Sequence, residues 1–197
     1  VMALTVAWSA FLWKGLAFVL ALLFGLWKVF RPNVWVHNLT ELFVYGGLAV
    51  IFVPLFNLFS AIILLVLISV YDAYAVWKSK HMIEMAKSQA KAHIFAGLMI
   101  PYKVGKIMRK PQPGMKVKKI RTAVLGGGDI GFSLIFAGVV LKELGLWQSL
   151  VIPFGALLGL AVLMWKGDEG KFYPAMPFIS AGCFMALGVV WLIGLLV

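Results

Sequence analysis

Uninterrupted apolar runs recur along this chain, and their length restricts what it can fold into. Residues 3–28 are broken by charge only at Lys14, and further runs cover about residues 42–54, 58–77, 123–141, 147–165 and 177–197. With 197 residues, 63% of them hydrophobic and 13% charged, a soluble domain could not hide so much apolar surface. Lipid makes hiding it unnecessary. The runs are too long for strands and lack the alternation of a membrane barrel. Helices follow, because a helix satisfies its own backbone hydrogen bonds in hydrocarbon. The expected fold is all-α, a polytopic transmembrane bundle of six spans. The second run is short, ~13 residues against the ~20 a span needs, so it begins nearer His37 or runs tilted.

Charge divides the chain into three parts. Residues 1–77 hold the N-terminal spans, 78–122 a basic loop, and 123–197 the last three spans. Residues 78–121 carry twelve of the eighteen basic residues and one acid, Glu84. Loops so enriched stay in the cytoplasm. With that side fixed, the connections at 28–41 and 166–171 are also inside, and the three loops together hold sixteen basic residues. The 142–146 turn and the C-terminus are then outside, as in a multi-pass protein of the cell membrane. The formal charge of +11 therefore reads as loops near anionic lipid. It does not read as a nucleic-acid surface, since no recognition motif or aromatic platform accompanies the lysines. Within the loop, Met82, Ile83, Met85 and Ala86, then Ile94, Phe95, Leu98 and Met99, recur at near-helical spacing with lysines between. The spacing predicts an amphipathic surface helix that ends at Pro101. Cys183 is the only cysteine, so no intrachain disulfide forms. His37, His81 and His93 lack metal-ligand spacing, and neither a metal nor a cofactor is expected.

Asp72 and Asp129 sit inside apolar runs, in Tyr71-Asp72-Ala-Tyr and in Gly126-Gly127-Gly128-Asp129. An ionisable group at membrane depth costs at least ~3 kcal/mol on insertion scales, so its presence points to function. By the charge map, Asp72 precedes the inward exit of its helix by about five residues. Asp129 follows the inward entry of its own by about six. At ~1.5 Å rise per residue, both lie some 8–9 Å from the interface, a common depth. Two carboxyls meeting there would share one proton. The ionised member could activate water for attack on a peptide carbonyl while the protonated member donates to the carbonyl oxygen. Ser69, Tyr71, Tyr74, Ser133 and Ser180 could admit the water. Read alone, the glycines fit close packing between helices. Beside an intramembrane acid they fit equally a backbone edge that receives an extended peptide.

These residues resemble a known family. Tyr71-Asp72 is similar to the YD motif, Gly126-Gly127-Gly128-Asp129 to GxGD, and Pro174-Ala175-Met176 to PAL. In that order, on three spans, they are the signatures of the presenilin and signal peptide peptidase intramembrane aspartyl proteases. The resemblance covers nearly the whole chain. It implies an endopeptidase that cuts within or near the transmembrane segments of membrane proteins, with Asp72 and Asp129 as its dyad and lipid bilayer as its surroundings. Gly126, Gly127 and Gly128 would shape the loop before the second acid. Pro174, Ala175, Met176 and Pro177 would line the site with Tyr71. Methionine in place of the last PAL leucine is a volume-conserving swap. The cytoplasmic loop favours the presenilin branch, and the lack of a large acidic loop resembles an archaeal homologue. The family usually has nine spans against six here, so either N-terminal spans or loop residues lie outside this sequence. Homo-oligomerisation stays open.

A proton- or cation-conducting transporter or channel would also use paired membrane acids, but leaves the PAL-like element unexplained. Prepilin-type peptidases share GxGD but usually carry lysine two residues after the acid, where this chain has Gly131. A non-catalytic scaffold has no need of buried acids.

Overall fold

The computed structural model describes residues 1–30, 34–79, 97–101, 122–166 and 173–196. Its architecture is a helical bundle. The first apolar run, expected as one span, is two helices, α1 (Met2–Ser9) and α2 (Lys14–Phe30). The break allows α1 to turn onto α3 (Val34–Phe52). There Gly47 lacks the Cβ that would collide with the Ala3 carbonyl, and Trp8 meets Phe24 and Phe43 edge-on. Nothing in the hydropathy marks this break, because both sides of it are apolar.

α3 begins well before the short run read from the sequence, and at 19 residues it is long enough to span. A 3₁₀ turn, Val53–Leu55, carries Pro54 where the chain must leave the helix. Asn57 then starts α4 (Leu58–Tyr74) with a reciprocal cap. Its side chain accepts the Ser60 N–H at 2.8 Å, and its own N–H donates to the Ser60 hydroxyl at 3.0 Å. After Asp72 the helix widens into one π-helical turn, Ala75–Ser79.

Among the described residues the helical fold has one departure, and it lies at the site. Strand β1 (Gly97–Pro101) pairs antiparallel with β2 (Thr122–Gly126), in a register that sets Gly97 opposite Gly126. Leu98 and Met99, expected on an amphipathic helix, are therefore strand residues. The rest of that expected helix, residues 80–96, lies outside the described residues. Likewise the fourth span does not begin as helix at Ala123. Residues 122–126 are extended, and α5 starts at Gly127 and ends at Glu143. Backbone pairing with β1 decides this, and a five-residue apolar run gives no warning of it.

Gly145, with φ at +114°, makes the turn into α6 (Leu146–Lys166), and α7 (Met176–Leu196) is the last described helix. α6 and α7 approach through small residues. A Cβ on Gly155 would strike the Gly182 carbonyl, and one on Gly159 the Phe178 carbonyl, so the backbones touch along this crossing. α5 runs through the core. Its Phe136, Val139 and Val140 are buried against Leu65 of α4, Ile152 of α6 and Cys183 of α7.

Among the described residues, four helical stretches are long and apolar enough to cross a membrane: Trp35–Leu55, Leu58–Lys78, Leu146–Lys166 and Met176–Gly194. α2 and α5, at 17 residues each, fall short of that length. They rise about 26 Å against a hydrocarbon core of about 30 Å.

Candidate active site

A latch at the far end of the bundle sets the level of the two acids. Glu143 accepts the Leu58 N–H at 3.1 Å, and the Lys142 ammonium donates to the Phe56 carbonyl at 3.1 Å. The last turn of α5 is thereby tied to the first turn of the antiparallel α4. Asp72 follows Leu58 by fourteen residues, and Asp129 precedes Glu143 by fourteen. Each helix climbs about 21 Å over that stretch, so the two carboxyls arrive at one height. They are buried there, 5% and 9% exposed, and lie within electrostatic reach of each other.

Each acid is also held by backbone donors at a helix N-terminus. The Met176 N–H, first in α7, donates to Asp72 Oδ2 at 3.1 Å, and the Ala175 N–H donates to the same carboxyl. Asp72 thus caps α7 from a neighbouring helix, where unpaired N–H groups and the helix dipole both favour an anion. Asp129 is the third residue of α5, and its carboxyl folds back to accept the Gly126 N–H. That is the reach-back of a capping box, made here by aspartate. Gly126 has no Cβ, and one built there would stand 2.9 Å from Asp129 Oδ2.

One turn away from these contacts, α4 and α7 are joined again. Ser69 donates its hydroxyl proton to the Leu65 carbonyl at 2.7 Å, and its Oγ is hydrogen-bonded with Ser180 Oγ at 2.8 Å. Ser69 precedes Asp72 by three residues, and Ser180 follows Met176 by four, so the pair forms a second rung beneath the first. Beside Asp129 a cavity of about 210 Å³ opens between α5, α6 and α7, with Ser133, Pro153, Leu157 and Ile179 in its walls. It has room for several waters at ~30 Å³ each. Asp129 and Ser133 are its polar members in an otherwise apolar lining.

Two buried carboxyls on neighbouring helices, level and mutually in reach, can hold a water between an acid and a base. Comparison with known families places the chain beside proteins that use such acids. The family model described as signal-peptide peptidase, presenilin aspartyl protease matches residues 1–197. The chain belongs to that family. No curated protein and no solved structure matches it. Family and apolar helices together make it an integral membrane protein.

Within this presenilin-family bundle the expected site residues divide. Asp72, Asp129, Gly126, Gly127, Ala175 and Met176 converge, and Pro174, fully buried, leads into the N-terminus of α7. Pro177 is the second residue of α7, where its missing N–H is no loss. Tyr71 is not brought in. It is 66% exposed, on the side of α4 away from the bundle, as its position beside the inward-facing Asp72 requires. Ser69 and Ser180 bond each other, and Tyr74 is half exposed under the Lys78 ammonium, 5.7 Å from its ring centre. Of the five polar residues expected to admit water, only Ser133 lines the cavity.

The sequence reading also missed a third buried acid. Glu41 is 7% exposed on α3 and pairs with Lys28 of α2. The signal was present, since Glu41 adjoins the second apolar run. A run that starts at Leu42 leaves Glu41 at the water line. Among the described residues no cluster of His, Cys, Asp or Glu could hold a metal.

Proposed function

We propose that this chain is an intramembrane aspartyl endopeptidase that hydrolyses peptide bonds within or near transmembrane segments, with Asp72 and Asp129 as its catalytic dyad. The observation that carries this reading is the burial of two carboxyls at one level on neighbouring helices, each with backbone donors on it. Family membership supports the reaction type.

In this reading the pair holds one proton. The ionised carboxyl takes a proton from a water lying between the two acids, and the water oxygen bonds to the scissile carbonyl carbon. The protonated carboxyl donates to the carbonyl oxygen, giving a tetrahedral diol. Collapse breaks the C–N bond as a carboxyl returns a proton to the leaving nitrogen. The cavity beside Asp129 supplies the water. β2 leads straight into Gly126 and Asp129, so an extended stretch of substrate alongside it would cross the dyad. Gly126, Gly127, Gly128, Pro174, Ala175, Met176 and Pro177 shape the site around the acids. α2 and α5 also cross the bilayer, giving six spans, with β2 completing the passage of α5. The 78–121 loop lies in the cytoplasm of a cell whose plasma membrane holds the protein.

The test is cleavage of a labelled single-span peptide by the purified protein. Wild type cuts within the span, and Asp72→Asn and Asp129→Asn each reduce turnover to background. Full activity in either variant would remove that residue from the dyad. A wild type that leaves the peptide intact but dissipates an ion gradient in vesicles would replace hydrolysis with transport.

A further inference from the structure

α3 presents a polar stripe toward the site. His37, Glu41 and Tyr45 follow one another at four-residue steps, so they share one face. His37 Nε2 lies 3.1 Å from the Gly97 carbonyl of β1, and Glu41 pairs with Lys28. Tyr45 comes last and deepest, 5% exposed. By strict geometry its buried hydroxyl makes no hydrogen bond, and the polar side chain that acts on it is Glu41, one turn away. Leaving such a group unpaired costs about 1–3 kcal/mol, so its placement needs a reason.

The reason lies at Gly127. A Cβ built on Gly127 would collide with the Tyr45 hydroxyl, and would stand 2.9 Å from Cζ and 3.1 Å from Cε1 of the same ring. The phenol therefore fills the space that any side chain at position 127 would need. Gly127 is the first residue of α5, between the Gly126 N-cap and Asp129. The neighbouring glycines are not covered in this way. Gly128 has only the Phe132 ring near it, at 3.8 Å, and Gly131 has open space. The GxGD pattern leaves its second position open, whereas in this chain a residue on another helix closes it.

We propose that Tyr45 is a positioning residue: its phenol is a fixed stop against Gly127 that sets where α5 begins and hence where the Asp129 carboxyl stands. The role in turnover rests on the protease reading above, and the contact itself does not. Glu41 stands one turn from the phenol, close enough to act on it, and is held by Lys28. The stop is thus braced by an ion pair joining α2 to α3. It works by volume, so the hydroxyl need not donate to anything.

The experiment is a double-mutant cycle on the full chain, read both by melting in detergent and by cleavage of the single-span peptide. Gly127→Ala lowers the melting temperature and cuts kcat about 100-fold with KM little changed, the scale expected of a displacement near 1 Å. Tyr45→Leu removes the ring atoms that the added methyl strikes. In the double variant Tyr45→Leu/Gly127→Ala, melting and kcat both recover, kcat at least tenfold above Gly127→Ala alone. Tyr45→Phe keeps kcat within about threefold of wild type, because the ring atoms that stand against Gly127 remain. Additive melting effects would overturn the contact, whatever the wild type cleaves. Coupled melting without recovery of kcat would overturn the positioning role. Loss of turnover in Tyr45→Phe would overturn the stop in favour of a hydrogen bond to substrate. A wild type that cuts nothing while the melts couple supports the contact and counts against the protease reading.

Discussion

At the scale of single residues, this site depends on which atoms are missing as much as on which are present. Asp129 folds back over Gly126 because no Cβ stands in its path. Gly126→Ala would drive the carboxyl off the Gly126 N–H, since the new methyl comes within 2.9 Å of Oδ2. We expect kcat to fall about 100-fold at nearly constant KM, the signature of a misplaced reacting group. Gly131→Ala is the control. It meets no atom within 4 Å inside the helix and exchanges a poor helix former for the best one. It should leave cleavage unchanged and stabilise the protein by about 0.5–1 kcal/mol in a melting assay. The Ser69–Ser180 rung makes a milder prediction. Ser180→Ala leaves Ser69 bonded to the Leu65 carbonyl, so it costs about 1 kcal/mol. It also slackens the α7 N-terminus that donates to Asp72, and turnover should drop several-fold while the peptide still binds.

At the scale of elements, the site is an assembly of helix ends: the last turns of α4, the first turn of α7, and the junction of β2 with α5. α7 reaches Asp72 only because α6 lies against it through Gly155, Gly159 and Gly182. A branched side chain there must push two backbones apart. Gly159→Val should cost about 1–3 kcal/mol of stability and also weaken cleavage, because the Met176 N–H moves with the helix that carries it. Fusing the disturbance to activity in this way distinguishes α7 from α1. The α1 contact at Gly47 is as tight, but among the described elements α1 packs only on α2 and α3, so when α1 yields to the new methyl, Gly47→Ala should lower melting and spare kcat. The same view explains what could be read from the sequence. Asp72, Asp129 and the Pro174–Met176 stretch stand out as polar or turn-forming residues against apolar surroundings, and the apolar runs locate the helices around them. The strand at Thr122–Gly126 was hidden because five apolar residues read alike as a helix start or a paired strand. The α1–α2 break was hidden because no charged residue marks it before Lys14. Tyr45 was hidden for another reason, since a tyrosine in an apolar helix is unremarkable until the glycine it covers is known.

At the scale of the whole molecule, the tryptophans report how the bundle sits in a bilayer. Trp147 and Trp165 are 79% and 88% exposed at opposite ends of α6. Eighteen residues of helix place them about 27 Å apart, close to the thickness of a hydrocarbon core. Trp35 and Trp77, 85% and 66% exposed, lie at the ends of α3 and α4 that share the Trp165 side, and Trp13, 86% exposed, opens α2 on the Trp147 side. Two aromatic belts result, as membrane interfaces favour. Both acids belong nearer the Trp165 belt, the side to which the lysine-rich loop connects. The proposed orientation therefore makes a definite prediction. With Cys183 replaced by alanine, single cysteines at Leu146→Cys and Lys166→Cys report the two faces from positions that are exposed. In intact cells, a membrane-impermeant maleimide should label the cysteine at 146 and spare the one at 166 until the membrane is opened. The reverse pattern would put the dyad near the outer face, and the charge map of the loops would then have misled. Cleavage should follow the same geometry. A peptide reconstituted with its scissile bond near the Trp165 face should be cut, and one whose labile segment is confined to the Trp147 half should resist, because neither carboxyl reaches that depth.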